Sequence, residues 1–254
     1  AKEKYSESEK EFLLEQYGKL KTPLYYEFSE GWTSFFSNVH TVQTMIVLVL
    51  GFLLSGLFAR EVQLRADAVF FTSYYGRTKA VKAKLLAGVL LTTVVYWSVM
   101  LLYSLIILGI IGLDGAFCMI QTSMVEWNTL YNITMIQKYL LILFGGYIGT
   151  MFFEGLTMLI SAKTKSAVLA VMTPFVLGFL PGYLTMINIP MISKIVGVLP
   201  NRLLQFSMAL RSFELYSVGG QIMGSVPILL VGYGVLTPFL YPLVYRVFRR
   251  MEVK

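Results

Sequence analysis

Few residues in this chain could do chemistry. Its one histidine, His40, and one cysteine, Cys118, exclude an intramolecular disulfide, a cysteine-built metal centre and a paired-histidine metal site. His40 reads as a polar residue at a membrane edge, and Cys118 as a small apolar one. No G-x-x-x-x-G-K-[ST] loop occurs, since "YGKLK" and "YGRTK" lack the upstream glycine, and no H-E-x-x-H helix occurs. The chain therefore reads as a non-enzyme, with any nucleotide chemistry belonging to a partner. What remains is one acid in apolar surroundings, Glu154 in "GTMFFEGLTMLISA". An ionised side chain at the bilayer centre costs at least about 2.5–3.5 kcal/mol, so such a group reads as functional by default. Two roles compete for Glu154: pairing or hydrogen bonding within the bundle, and lining or gating a translocation path. It falls about two turns from one end of its helix, where water would reach it.

The elements that position these residues are apolar. Of 254 residues, 56% are hydrophobic and 14% charged, the balance of a membrane protein. Crossing the hydrocarbon takes about 20 apolar residues. Residues 31–59, 85–113, 166–193 and 215–245 carry no Asp, Glu, Lys or Arg, and 139–162 is interrupted only by Glu154. The expected fold is all-α: a polytopic transmembrane helix bundle forming a single domain over 1–254. Its spans lie near 39–59, 85–112, 139–161, 167–189 and 221–246.

Lys and Arg mark the cytoplasmic side. The segment 60–84 holds six of the 21, "AKTKS" holds Lys163 and Lys165, and the tail "YRVFRRMEVK" holds four, whereas 114–137 holds none and 190–220 holds three. This places the C-terminus in the cytoplasm and 1–38 outside. An external start without a leader predicts that a first span precedes the numbered chain, giving six, with five true spans as the alternative. The net charge of +7 thus marks topology rather than a nucleic-acid partner.

Two flanking regions look helical. "SESEKEFLLEQYGKLKTP" offers Ser8 as N-cap with Glu11 three residues on, then Phe12, Leu13, Tyr17 and Leu20 on one face, so an external amphipathic helix is expected. "PNRLLQFSMALRSFELYSVGG" places Leu203, Phe206, Leu210 and Phe213 on one stripe, and 190–220 reads as an external amphipathic or re-entrant helical hairpin. Gly145 with Gly149, Gly178 with Gly182, and Gly220 with Gly224 have the spacing that permits close helix approach. Prolines 174, 181, 227, 238 and 242 fall inside spans, where they free backbone carbonyls. Asn132-Ile-Thr134 is a glycosylation sequon, without meaning in a bacterium.

The segment "LFAREVQLRADAVFFTSYYGRTKAVKAK" mixes positive charge with aromatics beside the membrane. Ala66, Val69, Phe70 and Ser73 recur at helical spacing from Val62 onward, and Gly76 supplies a turn. An exposed aromatic face needs a cover. Anionic lipid headgroups would serve, and so would a partner protein anchored on Phe70, Phe71, Tyr74 and Tyr75.

A span ending in "LFARE", an amphipathic stretch, the Gly-Arg pair of "SYYGRTKAVKAK" and a further span together resemble the permeases of ABC-2 type ABC transporters. The resemblance covers most of the chain and rests on layout more than on single residues. It matches Glu61 to the acid closing the second span, Tyr75-Gly76-Arg77 to the step before the third, and Lys84 to the base at its start. It implies that 62–75, within the 60–84 coupling segment, is a coupling helix docking on a separate cytoplasmic ATPase through Arg65, Asp67, Phe70, Phe71, Tyr74, Tyr75, Gly76 and Arg77. ATP and Mg would bind that ATPase, and this chain would need no cofactor. A second permease copy, identical or not, would complete an exporter of amphiphilic cargo (a peptide, lipid-linked polymer or drug) in the cytoplasmic membrane. The chain departs from the pattern in lacking the first span and the amphipathic helix before it. Competing classes are a non-transporting sensor or assembly partner, and a channel or secondary carrier. A carrier predicts inverted repeats and several midplane ionisable groups, of which one acid is present.

Overall fold

A computed structural model describes residues 5–20, 22–65, 75–76, 78–184 and 190–249. Among these, five helices are long and apolar enough to cross a membrane, making this a mostly helical multi-pass membrane protein. They are α2 (Glu30–Gln63), α3 (Lys79–Ile111), α4 (Met135–Thr164), α5 (Ala167–Leu184) and α9 (Ser225–Arg249). They alternate in direction, so α9 runs parallel to α2 and α4, and the connection from α5 to α9 returns on the side it left. One end of the bundle thus gathers the C-terminus of α2, the N-terminus of α3, the α4–α5 turn and the end of α9; we call it the basic end. The other end is covered by short elements.

Four of the helices begin or end well away from the expected limits. α2 starts at Glu30 rather than near 39, and α4 at Met135 rather than near 139. Apolar length marks the hydrocarbon thickness, whereas a helix continues while its backbone stays bonded and its ends capped. Thr134 caps α4 by accepting from the Gln137 amide, with Gln137 bonding back to Thr134, so the sequon threonine has a structural task.

α4 is the pillar. It is the least apolar of the five and the most buried, because its polar and small residues face other helices while α3, α5 and α9 turn leucines, valines and phenylalanines outward. Its small face admits close neighbours. A side chain at Gly145 would meet the Phe206 ring at 2.7 Å, and one at Gly149 would meet Leu203 Cβ at 2.8 Å. Among the described residues nothing lies within 4 Å of such a position at Gly178, Gly182 or Gly220, so the Gly145–Gly149 pair is the one that brings two helical elements together.

Polar bonds lock the three central helices. The Gln43 amide of α2 donates to Tyr96 Oη of α3 at 3.2 Å and to the Ile142 carbonyl of α4 at 3.0 Å. Tyr96 in turn donates to the Leu143 carbonyl at 2.7 Å. All sit against Gly146, where any side chain would collide with Gln43 and Tyr96. Pro174 of α5 packs on Gly51 of α2.

The covered end departs from expectation in three ways. Its first helix, α1 (Glu7–Gly18), is capped by Ser6 with Glu9, not by Ser8 with Glu11. Leu14 and Tyr17 are exposed, and α1 is held instead by polar contacts: Tyr17 Oη donates to the Asn128 carbonyl at 2.7 Å and Asn132 Nδ2 to the Gln16 carbonyl at 2.9 Å. The 190–220 region holds three short helices, α6 (Pro190–Gly197), α7 (Asn201–Leu204) and α8 (Phe206–Arg211). Leu203, Phe206 and Leu210 are buried as the stripe requires, but the helix breaks at Gln205, and Phe213 lies beyond α8. The span expected from 221 begins only at Ser225. Residues before it form a hairpin, β1 (Leu215–Val218) with β2 (Gln221–Gly224), closed by Gly219 and Gly220 at φ 60° and 83°. Two positive φ values are what a tight two-residue hairpin turn demands. Gly220 and Gly224, whose spacing suggested a close helix approach, therefore belong to a strand turn and strand.

Candidate functional site

At the basic end, α2 closes with Leu64 bonding to the Arg60 carbonyl and Arg65 to the Val62 carbonyl. Arg65 takes φ 54°, a left-handed conformation that stops an α-helix. A coupling helix beginning at Val62 is thus corrected: Val62 and Gln63 are the last residues of α2, and Arg65 terminates it, exposed. Asp67, Phe70, Phe71, Tyr74 and Arg77 lie outside the described residues. Tyr75 is half exposed and lies under the Lys79 ammonium, 4.0 Å from ring centre, and its carbonyl accepts from the Thr78 and Ala80 amides. Gly76 is buried.

The two ends of this connection are tied together. Lys84 of α3 pairs with Glu61 of α2 and donates to the Leu57 carbonyl at 2.9 Å. The side chains are 19% and 21% exposed, and Lys84 lies 5.7 Å from the Phe58 ring and 6.0 Å from the Phe248 ring of α9. The structure thus joins the acid and the base that the family resemblance singled out separately.

One turn earlier, a side chain enters the α2 backbone. Ser161 Oγ of α4 donates to the Ser55 carbonyl at 2.5 Å and accepts from the Ala59 amide at 3.1 Å. Those two groups are the i and i+4 partners of an uninterrupted helix. Such insertion is a recognised cause of local bending, and it lies directly above the Glu61–Lys84 tie. Nothing in the sequence marks Ser161 for this.

Glu154 is fully buried, not water-reached, because α4 continues to Thr164 and α9 lies over it. Neither carboxylate oxygen has a hydrogen-bond partner, and no Lys or Arg pairs with it among the described residues. The structural pairing expected of Glu154 is therefore absent there.

At the covered end lies an ion pair that sequence reasoning missed. Lys138 Nζ is 2.5 Å from Glu126 Oε1, with side chains 1% and 3% exposed. Lys138 also stands 3.8 Å over the Phe36 ring, and Arg211 Nε lies 3.6 Å from the same Glu126 oxygen. These residues line a small cleft with Thr33, Ser37 and Ser123. The twelve-residue separation crosses a loop, so no helical or strand period signals the pairing. His40, by contrast, is a partly buried residue bonded to Thr41, and Cys118 is buried in the main core.

No group of three or more His, Cys, Asp or Glu suited to a metal occurs among the described residues. The chain matches no protein-family model, no curated protein and no solved structure.

Proposed function

We propose that this protein is the permease subunit of an ATP-driven exporter of the ABC-2 type, moving an amphiphilic or hydrophobic cargo across the cytoplasmic membrane. It works with a second permease copy and with cytoplasmic ATPase subunits that bind ATP and Mg. In this reading Arg65, Asp67, Phe70, Phe71, Tyr74, Tyr75, Gly76 and Arg77 form the docking surface, and the C-terminus lies on the same cytoplasmic side. The observation that carries it is the Glu61–Lys84 tie. A push on a loose loop is dissipated within the loop, whereas a connection clamped at both roots passes the displacement to α2 and α3 together. Ser161 adds a point in α2 where that displacement can become a bend.

Affinity purification of this chain from its native membrane, probed for an ABC-type ATPase, tests the reading. Co-purification should be strong for the wild type and lost when Phe70, Phe71, Tyr74 and Tyr75 are changed to Asp. Retention by that variant, or no binding by the wild type, overturns it.

A second reading, a secondary carrier, is favoured by the unpaired Glu154. It is separated by energy source: transport into inverted vesicles that follows a proton gradient and ignores ATP supports the carrier.

A further inference from the structure

We propose that Glu154 is a proton-binding site, loaded in this conformation and covered by the proline-flanked stretch of α9. The inference goes beyond the docking reading and does not rest on it.

Both Glu154 oxygens are buried and, among the described residues, without a hydrogen bond. Among those residues the helices packed around α4 bring no counter-charge to it. Residues 31–59 of α2, 85–113 of α3, 166–193 of α5 and 215–245 of α9 contain no Lys or Arg. The titratable groups on those elements are Tyr96 and Tyr103 of α3, Tyr183 of α5, and Tyr233, Tyr241 and Tyr245 of α9, with Tyr139 and Tyr147 on α4 itself. Of these, Tyr241 lies in electrostatic reach of the carboxyl. His40 is at the covered end of α2, and Lys84 at the basic end is engaged by Glu61. Lys138 is engaged by Glu126, and Arg202 and Arg211 belong to the covered end. A carboxylate in a dry site without a cation is untenable by many kcal/mol, and such a group takes up a proton instead. The site's ligand is therefore H⁺, held as a neutral carboxylic acid.

The cover explains how the proton leaves. Leu240 stands 3.1 Å from where a side chain on Gly155 would begin, and Tyr241 Oη donates to the Met151 carbonyl at 3.2 Å. Leu240 and Tyr241 lie between Pro238 and Pro242. Proline has no amide hydrogen, so the carbonyls of Gly234 and Pro238 lack their helical donors. The part of the bundle over Glu154 is thus the part of α9 with the fewest backbone bonds holding it straight. Displacing it opens the α4–α9 seam at Met151 and Gly155, lets water reach the carboxyl, and gives the proton an exit.

Infrared spectroscopy of the full chain in lipid nanodiscs at neutral pH tests both parts. The protonated-carboxyl carbonyl band should be present, shift in D₂O, vanish in Glu154→Gln and move in Glu154→Asp, which retains the carboxyl if the amide variant folds poorly. A spectrum with no such band, or one unchanged by both variants, overturns the proton site. With Pro238→Ala and Pro242→Ala together, the D₂O shift should develop several-fold more slowly. An unchanged rate overturns the cover. Neither readout involves an ATPase, so failure here and failure of the docking reading are distinguishable.

Discussion

Ser161 of α4 holds Ala59 of α2 by a hydrogen bond from the Ala59 amide to its hydroxyl. Replacing Ser161 with Ala removes this bond and the one from Ser161 to the Ser55 carbonyl. The net loss should be small, about 0.5–1.5 kcal/mol, read as a slightly lower thermal midpoint. Spin-label distances between the ends of α2 and α4 at the basic end should broaden or lengthen, as loss of a cross-helix bond requires.

The buried charge pair at the covered end should respond asymmetrically. Glu126→Ala strands Lys138 beside Arg211, two like charges with the carboxylate gone, and should cost about 3–5 kcal/mol. Lys138→Ala leaves Glu126 with Arg211 still 3.6 Å away, so its loss should be smaller. Replacing both by Leu and Met should recover much of the difference. Denaturation of the four proteins in one detergent measures the ordering.

Glycine positions separate by what they touch. Gly145→Leu drives a side chain into the Phe206 ring, and overpacking of this kind costs about 1–3 kcal/mol. Gly178→Leu meets open space and should be neutral, since Leu is the better helix former. Thermal stability of the two variants is the measurement, and equal effects would contradict the packing described.

Acid should loosen α1. The Ser6 amide bonded to Glu9, with Lys194 nearby, holds the Glu9 carboxyl below the usual carboxylate range against a smaller opposing effect of burial. A depressed folded value means the bond contributes above the unfolded value and fades as pH falls through the folded one. Protection factors across 7–18, with exchange corrected for its intrinsic pH dependence, should therefore fall on acidification in the wild type, and Glu9→Gln should show lower protection at neutral pH with little further change.

Four of the five long helices were legible as charge-free runs and the fifth as a run broken only by Glu154, because lipid forbids unpaired charge along most of a span. Their ends were not, since α2 runs through Glu30 and Arg60 on backbone bonding alone. The hairpin was within reach: "LYSVGGQIMG" sets two short runs around a Gly pair, a strand signal, but its position next to a span favoured helix. Glu61 and Lys84 were picked out by layout, and only the fold joins them. Glu126 with Lys138, and Ser161 with Ala59, carry no periodic signal because each depends on where one helix crosses another.

The rank of α4 as both the most buried and the least apolar helix bears on how the chain is made. Helices leave the translocation machinery according to how well each dissolves in lipid on its own. α4, with Glu154 and its glycines, partitions worst of the five, yet α2 and α3 close upon it. It must be retained or escorted until α9, synthesised after α4 and α5, arrives to cover the acid. Biogenesis of the membrane domain should stall at α4 in any chain truncated before Ser225, leaving that helix the segment first recognised by membrane quality control.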